Sequence, residues 1–143
     1  MALILNPEGV TVPISQRLIQ LINNKVNDIA ENSVSEGFTV SFKDTHYHPD
    51  HGGYHPVEIG ILKGSDGKLS LHYITDFSYA GHPYPELVKE IDFEFQDHKL
   101  SGYLMGLLLN EGDSKDLFQL WEGNFLDYVE MGCFDEIEVN IVS

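Results

Sequence analysis

Apolar residues at Leu18, Leu21, Ile22, Val26 and Ile29 recur at helical spacing between about Pro13 and Asn32, and Pro13 suits a first helical turn. The pattern predicts an amphipathic N-terminal helix. From Phe38 the period falls to two, with Phe38, Val40 and Phe42 on one side and Thr39, Ser41 and Lys43 on the other, as in a half-buried strand. The segment from Tyr54 to Lys63 alternates again through Val57, Ile59 and Ile61. Gly64-Ser65-Asp66-Gly67 reads as a turn, and Lys68 to Tyr79 as the return strand.

Gly81-His82-Pro83-Tyr84-Pro85 reads as a loop, because two prolines cannot donate to a ladder. Ile91, Phe93 and Phe95 then alternate with Asp92, Glu94 and Gln96, giving a strand with one wet face. A turn near Asp97-His98 leads into Leu100 to Leu109, where apolar residues on both faces predict a central strand. Asp113 or Ser114 can cap a second helix that carries Leu117, Leu120, Trp121, Phe125, Tyr128 and Val129 on one stripe, with Gly132 as its stop. Phe134 to Val142 reads as a last strand through Ile137, Val139 and Ile141. These elements sum to an α+β fold, an antiparallel sheet of about five to seven strands flanked by an N-terminal and a C-terminal helix. With 143 residues, one domain over the whole chain is the expectation.

Composition narrows the function classes. Eight basic residues against 23 acidic ones give a net charge of -15, which repels nucleic-acid phosphates and anionic membranes and favours basic proteins or cations as partners. Cys133 is the only cysteine, so an internal disulfide and an all-thiolate zinc site are both excluded. A reducing compartment follows. The segment from Met1 to Glu8 lacks a basic n-region, and no apolar run is long enough to cross a bilayer, which places the protein in the cytoplasm.

The densest chemistry lies in Thr45-His46-Tyr47-His48-Pro49-Asp50-His51-Gly52-Gly53. His46, His48, Asp50 and His51 are candidate metal ligands. Imidazole and carboxylate donors at that spacing suit zinc or another transition metal. The stretch resembles the Thr-His-x-His-x-Asp-His motif of the metallo-β-lactamase superfamily, and that resemblance implies a metal-dependent hydrolase. Three features make the match fortuitous. The later histidines stop at His55, His72, His82 and His98, the chain is short for a four-layer fold, and His51 abuts Gly52 directly.

A second resemblance spans most positions after about Phe38. Gly52-Gly53-Tyr54-His55-Pro56-Val57-Glu58-Ile59, Tyr73-Ile74-Thr75-Asp76-Phe77-Ser78-Tyr79, and Glu86-Leu87 leading to Ile91-Asp92-Phe93-Glu94-Phe95 resemble the domain-of-unknown-function family 2787. Leu120-Trp121, Asn124-Phe125 and Phe134-Asp135-Glu136-Ile137 match its tail. The resemblance implies a small acidic Vibrio-type protein without assigned activity. It also implies a fold similar to the mitochondrial acidic matrix protein that binds complement C1q, a ring-shaped trimer. On this reading Gly52-Gly53 opens the Tyr54-His55-Pro56 block instead of closing a zinc signature.

Tyr54, His55, Tyr73, Asp76 and Tyr79 fall on adjacent predicted strands and are candidates for a surface groove. The stripe of Trp121, Phe125 and Tyr128 is a core face by its period. No complete catalytic set emerges. The favoured reading is a non-enzymatic partner-binding or oligomeric module without a cofactor, its partner a basic protein or a second copy. The alternative is the metal-dependent hydrolase built on the histidine cluster.

Overall fold

A computed structural model describes residues 14–30, 36–64, 68–96 and 99–142, the side chains of 27–30 excepted. Helix α1 runs over Gln16–Ala30, and β1 over Gly37–Lys43. Strands β2 (Val57–Lys63), β3 (Leu69–Ala80), β4 (Glu86–Gln96) and β5 (Lys99–Leu104) follow as a meander. A two-residue β6 (Leu107–Leu108), helix α2 (Glu111–Glu130) and β7 (Glu136–Val142) complete the chain. The fold is α+β, with two helices against a seven-stranded sheet in the order β6-β5-β4-β3-β2-β1-β7. Every pairing is antiparallel.

The alternation read from the sequence places the core. Phe38, Val40 and Phe42 on β1 pair with Ile61, Ile59 and Val57 on β2 and with Ile141, Val139 and Ile137 on β7. Most of these side chains face the helices, with Leu18, Ile22 and Val26 of α1 and Phe118, Trp121 and Phe125 of α2 buried against them. The opposite sheet face carries Glu58, Tyr73, Thr75, Asp92 and Glu94, and among the described residues no helix lies over it.

Several boundaries differ from the sequence pattern. Leu100 to Leu109 is not a central strand. It breaks at Met105, where φ is 50°, and Gly106, where φ is 83°, and its second half is the edge strand β6. Leu104, Leu107 and Leu108 are accordingly exposed. The α2 cap is Asn110 instead of Asp113 or Ser114. Its side-chain carbonyl accepts from Asp113 N at 2.7 Å, while Ser114 lies inside, where its Oγ accepts from Gly102 N at 3.0 Å. Pro13, Asn32, the side chain of Ile29, and the turn positions 65–67 and 97–98 lie outside the described residues. Among the described residues no helix is long and apolar enough to cross a membrane.

Candidate functional site

Helix α2 does not seal onto the sheet along its whole length, and a cleft of about 340 Å³ remains between them. Its sheet side is Tyr54, His55, Val57, Asp76 and Ile91, its helix side Leu117, Leu120, Trp121, Asn124, Phe125 and Tyr128. That volume suits one side chain or a small ligand. Asp76 faces the helices because it sits between Val57 on β2 and Ile91 on β4, which both point inward. A carboxylate at this depth needs partners.

Asp76 has two. Its Oδ1 lies 2.9 Å from His55 Nδ1, and its Oδ2 accepts the indole N–H of Trp121 at 3.0 Å. Glu90 brings a second carboxylate to the same imidazole nitrogen, at 3.1 Å. Nδ1 is therefore the protonated nitrogen. The hydrogen bond to Asp76 is the chief cause that raises the His55 pKa above the ordinary histidine value; Glu90 adds to it and burial opposes it.

A β-bulge places Glu90. The register steps from Asp76 opposite Ile91 to Phe77 opposite Lys89, leaving Glu90 as the extra residue on β4. Regular alternation would turn Glu90 away from the core. A bulge re-aims such a side chain, here toward His55. Val88 and Ile91 consequently share the inner face although they are three residues apart, an odd spacing that a regular strand does not allow.

Aromatic rings wall the cleft. Trp121 stacks on Phe125 with centroids 4.8 Å apart, and Tyr54 meets Tyr128 edge to face at 4.9 Å. The helical stripe that its period assigns to the core is thus divided. Trp121 and Phe125 are buried, but Tyr128 and Leu120 stand 36% and 64% exposed at the opening. A hydrogen bond with Cys133, the residue after the α2 stop, is the main cause raising the Tyr54 phenol above its usual pKa.

Of the five groove candidates, Tyr54, His55 and Asp76 come together in this cleft, while Tyr73 and Tyr79 do not. Both are an odd number of residues from Asp76 on β3, so the pleat sends them to the other face. There the Tyr73 ring covers Gly60 and its hydroxyl donates to Glu58 at 2.5 Å. Tyr79 packs on Tyr47 with ring centroids 5.0 Å apart, and its backbone N–H donates to the Tyr47 hydroxyl at 3.1 Å.

The four candidate metal ligands, His46, His48, Asp50 and His51, build a small turn. His48 and Gly52 exchange backbone hydrogen bonds at 3.1 and 2.8 Å, and Gly52 and Gly53 adopt φ of 78° and 137°. A Cβ on Gly53 would lie 2.8 Å from Asp44 Oδ2 and 2.9 Å from Tyr47 Cα, so the glycine pair serves the turn. The imidazoles are engaged within it. His48 Nδ1 accepts from Asp50 N at 3.1 Å, His51 Nε2 donates to His46 O at 2.9 Å, and the His48 and His51 rings stack at 5.0 Å. Their donor atoms do not converge on one point. Among the described residues, three metal-ligating atoms meet within 4.8 Å at Asp44, His46 and Asp135 and at His55, Asp76 and Glu90. In the first group His46 is 86% exposed, and Thr45 donates to both Asp135 oxygens, which chiefly lowers the Asp135 pKa.

No curated protein matches the chain in sequence. Among solved structures, a hypothetical protein from the VSP-II pathogenicity island of Vibrio cholerae superposes with a TM-score of 0.78 at 35% identity, covering 92% of this chain and 96% of that one. A conserved hypothetical protein from pathogenicity island VPI-2 of Vibrio cholerae, described as sharing structural homology with the human P32 protein, gives a TM-score of 0.78 at 33% identity. It covers 95% of this chain and 99% of its own. The family model described as Protein of unknown function (DUF2787) matches residues 16–140, from the first residue of α1 into β7. The chain belongs to that family.

Proposed function

We propose that this chain is a cytoplasmic binding module that takes a basic segment of a partner protein into the cleft between α2 and strands β2 to β4. The carrying observation is the pairing of Asp76 and Glu90 with a single imidazole at the base of an aromatic cleft. Even with His55 protonated, two carboxylates against one cation leave a negative site. Tyr54 and Tyr128 line the cleft, where an aromatic ring attracts a lysine or arginine head group, while the apolar wall accepts its aliphatic stem. The net charge of -15 steers cationic segments to the surface and repels nucleic acid.

Fluorescence anisotropy with a labelled lysine- and arginine-rich peptide tests this reading. Tyr128→Ala should weaken binding by about tenfold, the scale of one lost cation–π contact, and an acidic peptide of equal length should not bind. Equal affinity for both peptides, or an unchanged affinity in Tyr128→Ala, would refute it.

A second reading, self-association, has its own observation. Among the described residues, nothing covers the apolar sheet edge that Leu104, Leu107 and Leu108 form at β5 and β6, and an unpaired edge can template pairing with another copy. Sedimentation of the parent and of Leu107→Lys/Leu108→Lys tests it. A concentration-dependent oligomer that the double variant dissolves supports the reading, and a parent that stays monomeric at all concentrations rejects it.

A further inference from the structure

We propose that His55 Nδ1, Asp76 Oδ1 and Glu90 Oε2 form a binding site for a first-row divalent cation, with Zn²⁺ as its representative, at the base of the cleft. The three donor atoms already face one another. Nδ1 lies 2.9 Å from Asp76 Oδ1 and 3.1 Å from Glu90 Oε2, and all three atoms fall within 4.8 Å of each other. Bonds of about 2.0–2.1 Å around a tetrahedral zinc hold its ligand atoms roughly 3.3 Å apart. The two imidazole–carboxylate separations therefore need to open by only a few tenths of an ångström, with the ion replacing the shared proton on Nδ1. One imidazole and two carboxylates are donors that zinc, iron and manganese accept.

The surroundings fit a metal better than they fit the alternatives. The ligands come from neighbouring backbone segments: His55 just before β2, Asp76 within β3, and Glu90 at the β4 bulge. Asp76 is mostly buried, and its second oxygen is fixed by the Trp121 indole, the outer-shell bond that orients a carboxylate ligand. His55 and Asp76 also line the cleft, which leaves further coordination positions reachable from solvent. In the Asp44, His46 and Asp135 group, His46 and Asp135 are exposed and Asp135 is already held by Thr45. The proposal stands apart from the basic-segment reading. A bound cation would neutralise the carboxylates that such a segment meets, so the two ligands exclude each other.

Trp121 is the only tryptophan, and its contact with Asp76 makes it a built-in reporter. The experiment titrates Zn²⁺ into tag-free, chelator-treated full-length protein, following both calorimetry and Trp121 fluorescence. One saturable site per chain should appear with a change in Trp121 emission. Glu90→Gln and His55→Gln, checked for folding by circular dichroism, should each weaken it at least tenfold. The triple variant His46→Ala/His48→Ala/His51→Ala should retain the site and the fluorescence change. Three results would overturn the proposal: no binding at 1:1 stoichiometry, binding that the triple variant abolishes, or binding that folded Glu90→Gln and His55→Gln leave unchanged. Because no peptide is present, failure here says nothing against the basic-segment reading, and loss of peptide binding leaves the metal site standing.

Discussion

Trp121 on α2 donates its indole N–H to Asp76 Oδ2 on β3 at 3.0 Å, across 45 positions of sequence. This bond ties the helix to the inner face of the sheet where the apolar packing is interrupted by the cleft. The same carboxylate holds His55, so one side chain links helix, strand and the segment leading into β2.

Removing that carboxylate should destabilise the fold. Asp76→Ala leaves the Trp121 N–H and the His55 Nδ1–H without their shared acceptor, and should cost about 2–4 kcal/mol in urea denaturation. Asp76→Asn, which retains one carbonyl acceptor, should lose less. In a cycle with Trp121→Phe, a coupling energy near zero would show that the bond contributes nothing.

Gly60 and Tyr73 form a second dependent pair. A Cβ on Gly60 would lie 2.2 Å from Tyr73 Cε1, so Gly60→Ala must displace the ring or the strand. The expected loss is about 1–3 kcal/mol, the usual range for overpacking. In a Tyr73→Ala background the clash disappears, and the same change should be neutral or slightly stabilising, since alanine loses less backbone entropy than glycine on folding. Chemical denaturation of the four proteins measures this, and equal effects in both backgrounds would rule out the ring as the cause.

The period-two runs at Phe38 to Phe42, Val57 to Ile61 and Ile91 to Phe95 made the sheet legible, because one face of each strand had to be apolar. The seven-strand order and the split at Met105 were not. Leucines on both faces of the segment from Leu100 to Leu109 look the same whether the strand is central or lies at an edge, and only Gly106 hints at the reversal. At the site, His55 and Asp76 were visible as neighbours, but Glu90 required the bulge and Trp121 required the helix to dock. Both depend on contacts between residues distant in sequence. Parity along β3 separates Tyr73 and Tyr79 from Asp76, and the sequence contains that information.

Helix α2 should depend measurably on its cap. Asn110 accepts from Asp113 N at 2.7 Å and donates its side-chain N–H to Asp113 Oδ2 at 3.0 Å, a reciprocal pair that satisfies one of the free amides of the first turn. Asn110→Ala should lower stability by about 1 kcal/mol, and Asn110→Ser should recover most of it. Thermal melts of the three proteins decide the matter, and an Asn110→Ala melt matching the parent would show the cap to be dispensable.

Glu122 should make stability depend on pH in the direction opposite to most acidic residues. It is buried on α2, where its carboxylate accepts the Ser15 backbone N–H at 3.1 Å. Burial raises its pKa more than the Ser15 bonds and the Arg17 charge lower it. A carboxyl that holds its proton more tightly folded than unfolded supports the fold fully below the unfolded value of about 4.3. That support is lost as pH rises through the folded pKa. Glu122→Gln keeps an acceptor for Ser15 and has no proton to lose. Its stability relative to the parent should therefore increase from pH 4 to pH 7, and taking the difference cancels the titration of carboxylates common to both proteins. Urea midpoints at intervals across that range give the curve. A difference that is flat, or that falls with pH, would mean that the Ser15 and Arg17 interactions match or outweigh burial at this site.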